Sequence, residues 1–287
     1  MGFQQGLSGL NTTAKNLEVI GNNVANVSTT GYKSSRVDLA DSFSQTLRSS
    51  SPSNGTSSSV PSIQVGTGVQ TSTIKSQFTQ GALARTGVGT DLAVAGSGFF
   101  IVADPVSGIE YATRAGEFRV DDGGYLITNS GQRVQGWAES TLAAGTYDDI
   151  RIDTTGNTST AVPTPTMQSY SIDDRGRINV SLSDGTSFVR GQILLQNFSD
   201  PQALLKEGNN LYSGMNAAGP LGGATPTPVE PGSNGLGLIY SGALELSNVD
   251  LATEFTNLIT TQRAYQANAR IITTSDEMLQ ELVNLKR

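Results

Sequence analysis

The 287-residue chain has no cysteine and no histidine. Disulfides, thiolate nucleophiles, imidazole bases and the common zinc ligand sets are therefore excluded. Aromatic residues are sparse at 6%, and hydrophobic residues make up only 36%. This limits any core and favours strands, turns and loops over a dense helical globule. Charge is scarce too: 15% of residues are charged, the formal net charge is −7, and no basic cluster stands ready to neutralise a run of phosphates, so nucleic acid is not an expected partner. No apolar run approaches the roughly 18 residues of a membrane span, so membrane insertion is not expected either. The opening MGFQQGLSGL lacks the basic and continuous apolar regions of a secretory signal, and Gly6 stands where a myristoylation pattern wants Ser or Thr.

What the chain does have is patterned ends. Phe3, Leu7, Leu10, Ala14, Leu17, Gly21 and Val24 alternate by four and three, the spacing of a coiled-coil-like seam. Near the other end Leu251, Phe255, Leu258, Gln262, Tyr265, Ala269, Ile272, Asp276, Leu279 and Val283 keep the same alternation, widened by Ile259, Ile271, Met278 and Leu282. Ser247 and Asp250 make a capping-box-like start. A helix from Val249 to Lys286 is about 57 Å long at 1.5 Å per residue, far beyond an average globular helix of ~11 to 12 residues. Such stripes need cover. Either the two helices close a hairpin within one domain, or neighbouring subunits complete the packing. The polar Gln262 and Asp276 either set register or mark where the stripe drifts.

Between the ends the pattern is β. Ser34 to Phe43 is mixed, and Leu47 to Gln64 is rich in Ser, Pro and Gly, the composition of a surface loop. From Asp91 to Trp137 apolar and polar residues alternate between turn signals at Asp122-Gly123-Gly124 and Asn129-Ser130-Gly131, and a second such block spans Ser169 to Phe198. The expected class is α+β, with long N- and C-terminal helices pairing as a coiled-coil-like inner domain and an antiparallel all-β central domain. The expected domains are 1–33 plus 246–287 as a terminal helical assembly domain, 34–90 as an extended linker with a Ser/Pro-rich loop, 91–137 plus 169–245 as the β domain, and 138–168 as a short insert.

Signals for chemistry are weak. Gly96-Ser97-Gly98 lacks a third glycine at dinucleotide-binding spacing and is followed by a strand, so it reads as a tight turn. The pairs Asp121-Asp122, Asp148-Asp149 and Asp173-Asp174 fall at turns or loop edges, where aspartate bonds local backbone. A carboxylate hydrolase and a secreted binding module are the competing classes. No catalytic, cofactor or metal residue is singled out. Phe99, Phe100, Tyr111, Phe118, Tyr125 and Trp137 are core or cross-strand residues, or an exposed subset forms a subunit contact.

Taken in order, these segments resemble the axial proteins of the bacterial flagellar hook and rod. MGFQQGLSGLNTTAKNLEVIGNNVANVSTTGYKSS is similar to the family's N-terminal signature, a helix entering an Asn-Asn-x-Ala-Asn turn with a Thr-x-Gly-aromatic-Lys exit. GTDLAVAGSGFFIV, YATRAGEFRVDDGGYLITNSGQRVQGW and the segment from Ser247 to Arg287 resemble further family blocks. The opening and the closing LVNLKR look most like the hook protein, with the distal rod protein as the alternative. Hook proteins usually carry an outer β domain after the segment matching QGW, and here only some thirty residues separate it from SYSIDD. The Ser/Pro-rich insert resembles a stretch of the distal rod protein thought to stiffen the tube.

The resemblance implies a self-assembling, non-enzymatic subunit without cofactors that transmits torque from rod to filament. It implies a homopolymer contacting adjacent rod and hook–filament junction proteins. A hook cap would guide assembly, and the flagellar type III apparatus would export the chain to the hook–basal body, outside the cell. Subunit packing is expected at Phe3, Leu7, Leu10, Leu17, Val24, Leu251, Phe255, Leu258, Tyr265, Ile272, Leu279 and Val283. The exit turn is expected to use Asn22, Asn23 and Asn26, which tolerate left-handed backbone and bond local peptide groups, with Gly31 relieving the turn and Tyr32 anchoring it.

Overall fold

A computed structural model describes residues 2–50, 61–138, 147–156, 165–223 and 225–285. Much of the Ser/Pro-rich segment (51–60) and most of the short insert (139–146 and 157–164) lie outside the described residues. The chain divides into two compact units. One comprises residues 1–26, 34–77 and 249–287, the other 27–33 and 78–248.

The first unit is built on two helices, α1 (Gly2–Ala25) and α2 (Leu251–Leu285). They run antiparallel, since Gly6 lies against Ile272, Asn16 against Thr261 and Asn23 against Glu254. The 35 residues of α2 give a rod of about 52 Å. Its cap is Asp250, not Ser247: the Asp250 carboxylate accepts the Ala252 N–H at 3.0 Å and the Thr253 hydroxyl at 3.0 Å. These bonds hold the carboxyl below its usual range, as an N-cap aspartate should be.

Of residues 34–90, expected as an extended linker, the described parts of 34–77 fall in this unit and carry two antiparallel ladders. Strand Ser35–Asp41 pairs antiparallel with Val69–Ser76 and has an irregularity between Asp38 and Leu39. Ser44–Arg48 pairs with Ile63–Gly66 and so flanks the low-complexity stretch with a hairpin. Glycine and serine hid these strands because alternation is weak when neither face is buried: every residue of Ser44–Arg48 is exposed.

Among the described residues the strands of the second unit all pair antiparallel, with one 3-10 turn at Pro201–Ala203. A twelve-stranded sheet runs in the order Met167–Ile172, Arg177–Leu182, Ser187–Ile193, Arg133–Trp137, Phe99–Ala103, Glu110–Thr113, Leu211–Ser213 and Leu205–Gly208, with four shorter strands off this path. Two-stranded ladders join Leu92–Ala95 to Leu238–Ser241 and Leu83–Arg85 to Ala243–Glu245.

The apolar run FFIV occupies the middle of the main sheet, and period-two geometry sends its side chains to opposite faces. Phe100 and Val102 enter one core cluster, with Phe118, Leu126, Val134, Ile178 and Ile193. Phe99 and Ile101 enter the other, with Phe198, Tyr212 and Met215. Edge-to-face ring contacts link Phe78, Phe99, Phe198 and Tyr212 at centroid distances of 5.4 to 6.2 Å. The architecture is thus α+β, with terminal helices and a central antiparallel β body.

Candidate functional site

The apolar stripe of α1 is not the face that meets α2. Its buried line is Gly6, Gly9, Thr12, Ile20 and Asn23, with Asn16 half-buried. Gly6, Gly9, Asn16, Ile20 and Asn23 each precede a member of the predicted stripe by one residue, a rotation of about 100°. Close approach selects this face. A Cβ on Gly9 would lie 2.7 Å from the Asn268 amide nitrogen, and one on Gly6 would lie 3.1 Å from Ile272. Polar pairs complete the contact: the Asn16 amide donates to the Thr261 hydroxyl at 3.3 Å, and the Asn23 amide to Glu254 at 3.2 Å. Thr261 is the one buried residue of α2 among those described.

The predicted packing residues are therefore left partly or wholly uncovered within the chain. Phe3, Leu7, Leu251, Phe255, Leu279 and Val283 are exposed, and Leu10, Leu17, Val24, Leu258, Tyr265 and Ile272 are half-buried. Towards the end of α2, Met278, Leu279, Leu282, Val283 and Leu285 are 56 to 81% exposed. A run of such side chains in water is unusual for a helix without a partner. Covering each fully gains roughly 1.5–3 kcal/mol. The small residues at positions 6 and 9 were the available clue to the intramolecular face.

At the helix exit the asparagines act through their side chains. Asn22 and Asn23 lie within α1, and the described non-glycine residues with positive φ are Asn209, Asn210 and Asn234. Left-handed backbone is thus not what they supply. The Asn23 amide instead pairs with a peptide group as a strand neighbour would, donating to the Ser35 carbonyl at 2.8 Å and accepting the Ser35 N–H at 2.9 Å. The Asn26 amide donates to Asn22, to its carbonyl and its side-chain oxygen, at 2.9 Å each. Helix competition by short polar side chains here becomes a stop signal.

Residues 27–33 belong to the β unit. Gly31 has φ +67, and a Cβ there would lie 2.6 Å from the Ala115 nitrogen, so only glycine fits. Tyr32 is 2% exposed, with the Lys206 ammonium 4.1 Å from its ring centroid.

Lys33 ends this segment fully buried. Its ammonium donates to Glu245 at 2.6 Å and to the Thr79 carbonyl at 2.8 Å. The other Glu245 oxygen takes Arg114 at 3.4 Å, and the Arg114 guanidinium lies 5.0 Å from the Phe99 centroid. The Gly81 N–H reaches the same carboxylate at 2.9 Å, while the Gly31 N–H donates to the Glu245 carbonyl at 2.8 Å. Burial lowers the Lys33 proton affinity against the opposing pull of Glu245, and lowers that of Arg114 as well. In the sequence Lys33 stands out only as part of a motif, and Arg114 and Glu245 not at all. Nothing in composition or periodicity marks residues so far apart as partners.

The acidic pairs do local work. Asp121 accepts the Tyr125 N–H, Asp173 accepts those of Arg175 and Arg177, and Asp149 pairs with Arg133 at 2.7 Å. Gly96 and Gly98 both have positive φ at the turn between Leu92–Ala95 and Phe99–Ala103.

Three sequence families match in chain order. Residues 3–33 match "Flagella basal body rod protein", 93–180 match "Flagellar hook protein FlgE/F/G D1 domain", and 240–285 match "Flagellar basal body rod FlgEFG protein C-terminal". The chain is 40% identical over 282 residues to the flagellar basal-body rod protein FlgG of Bacillus subtilis, covering 98% of this chain and 97% of that one. It is 37% identical over 280 residues to FlgG of Buchnera aphidicola subsp. Schizaphis graminum, with 97% and 96% covered. Against the flagellar hook protein FlgE of Escherichia coli, identity is 25% over 427 aligned positions spanning all of both chains. With helices at both ends, a β body between them and relatives matched along their whole length, the chain belongs to the FlgE/F/G family of flagellar hook and rod axial proteins, components of the hook–basal body.

Proposed function

We propose that this axial subunit is the distal rod protein of the flagellar basal body. The observation that carries the assembly reading is the uncovered apolar surface of α1 and α2: beside Ile20 the intramolecular seam uses glycine, threonine and asparagine, and Phe3, Leu7, Phe255, Leu279 and Val283 stay exposed. A head-to-tail contact between identical copies covers such stripes without closing on itself and generates a helical tube. The resemblance to hook proteins at the two ends is shared by the whole family. Full-length similarity to proteins named FlgG, and the 427-position alignment needed to span a hook protein against 287 residues here, favour the rod. The exposed hairpin at Ser44–Arg48 and Ile63–Gly66 flanks the insert that resembles the rod's stiffening stretch. Under this reading the chain is a structural homopolymer that is exported through the flagellar type III channel and joins neighbouring rod and hook proteins outside the cell. A channel of that kind passes chains largely unfolded, which suits ends that gain most of their burial on docking.

Electron microscopy of the purified chain under polymerising conditions tests this. Straight tubes that vanish when residues 251–287 are removed are expected. Curved tubes would return the assignment to the hook, and polymers formed equally well without α2 would refute the assembly reading.

A further inference from the structure

The β unit has four chain ends, at Val27, Lys33, Phe78 and Asn248, where the chain passes to or from the helical unit. One buried cluster touches the segments at all four. Lys33 and Gly31 bind Glu245 from the segment 27–33, which supplies two of the ends. Thr79 and Gly81 bind Lys33 and Glu245 from the third. At the fourth, Asn248 donates to the Thr79 hydroxyl at 2.8 Å and to the Thr79 carbonyl at 3.3 Å, three residues from Glu245.

The composition of the cluster is informative. Packing alone would hold these segments with aliphatic side chains, and replacing a buried ion pair by such residues is often neutral or stabilising. Here the side chains of Lys33 and Glu245 are 0% exposed and that of Arg114 is 4% exposed. A carboxylate imposes direction and register that a methyl group does not. It must be met by particular donors at particular distances, and without it two cations remain buried unpaired.

We propose that Glu245 is a positioning residue that gathers the chain ends of the β unit into one place, so that the terminal segments leave from a defined point and polymerisation depends on it. The dependence on polymerisation rests on the assembly reading above; the gathering of the chain ends does not.

The test uses the full-length chain with Glu245→Gln and, as a control for general core damage, Arg114→Met, which leaves a Lys33–Glu245 pair. Trypsin cleavage after Lys33 reports release of the 27–33 segment, emission of the single Trp137 reports the β body, and pelleting reports polymer. In the native chain the bond after the buried Lys33 is expected to resist trypsin while that after the exposed Lys15 is expected to be cut. Glu245→Gln is expected to speed cleavage after Lys33 by about tenfold or more, with Trp137 emission native and polymer lost. Arg114→Met is expected to retain protection and polymer. Equal release in the two variants, or undiminished protection and polymer in Glu245→Gln, overturns the proposal.

Should Glu245→Gln fail to fold, hydrogen exchange in the native chain decides. Amides of Gly31 and Gly81 exchanging as slowly as those of Phe99–Ala103 support the clamp, and exchange orders of magnitude faster refutes it. A native chain that keeps its protection but never polymerises counts against the assembly reading alone.

Discussion

The two units treat their apolar residues in opposite ways. In the β body Phe100, Val102, Leu126 and Val134 are shielded to 0% exposure, and among the described residues charge enters the interior only with a partner, as at Lys33 and Glu245. In the helical unit mostly small and polar side chains face inward beside Ile20, while Phe255, Ile259 and Leu282 are 50 to 62% exposed. The first pattern is that of a body stable by itself. The second is that of half an interface, in which the intramolecular contact aligns the helices and leaves their hydrophobic free energy for a later step. Under the proposed assembly, where apolar area is kept separates folding from polymerisation.

That contrast can be broken in order of expected effect. Phe100→Ala empties a closed core and should destabilise the β body by about 3–5 kcal/mol, read by thermal or denaturant melting; a loss near zero would mean the core is not where stability resides. Met278→Asp with Leu282→Asp should do the reverse. Monomer helicity by circular dichroism is expected to hold, while the critical concentration for polymer rises roughly tenfold or more. An unchanged critical concentration would remove the end of α2 from the interface.

Gly9→Leu places a side chain where a Cβ already lies 2.7 Å from Asn268. It should weaken the α1–α2 contact by about 1–3 kcal/mol and leave the β-body melt in place, so a shift of both transitions would argue that the units do not unfold separately. The smallest effect is a pH dependence. Burial, then the charge and hydrogen bond of Glu110, push the Tyr147 hydroxyl up to about 12, against about 10 in an unfolded chain. The unfolded state therefore releases this proton first, and the contribution of Tyr147 to stability is full below about pH 10 and lost as pH rises to about 12. Tyr147→Phe should flatten the melting curve in that window, and a slope unaffected by the substitution would assign it to other groups.

Much of this organisation was legible along the chain. Alternation by four and three marked both helices, period-two patterning and turn dipeptides marked the β body, and ordered motif blocks pointed to the family. The seam of α1 was not legible, because an apolar stripe shows which face needs cover and not which neighbour supplies it; Gly6 and Gly9 won the intramolecular contact by letting backbones approach. The strands beside the Ser/Pro-rich stretch escaped notice since exposed ribbons carry little hydrophobic alternation.

Local sequence by itself determined where the two helices and the strands of the β body lie, because capping, periodicity and turn chemistry act between residues a few positions apart. Asp250 capping α2 and Asn26 bonding back to Asn22 just past α1 are of this kind. Only the tertiary structure decided which helix face turns inward and that Lys33, Arg114 and Glu245 share one buried site. Lys33 and Glu245 are separated by 212 positions, and a charge is tolerated in a core only when folding delivers its partner to within bonding distance.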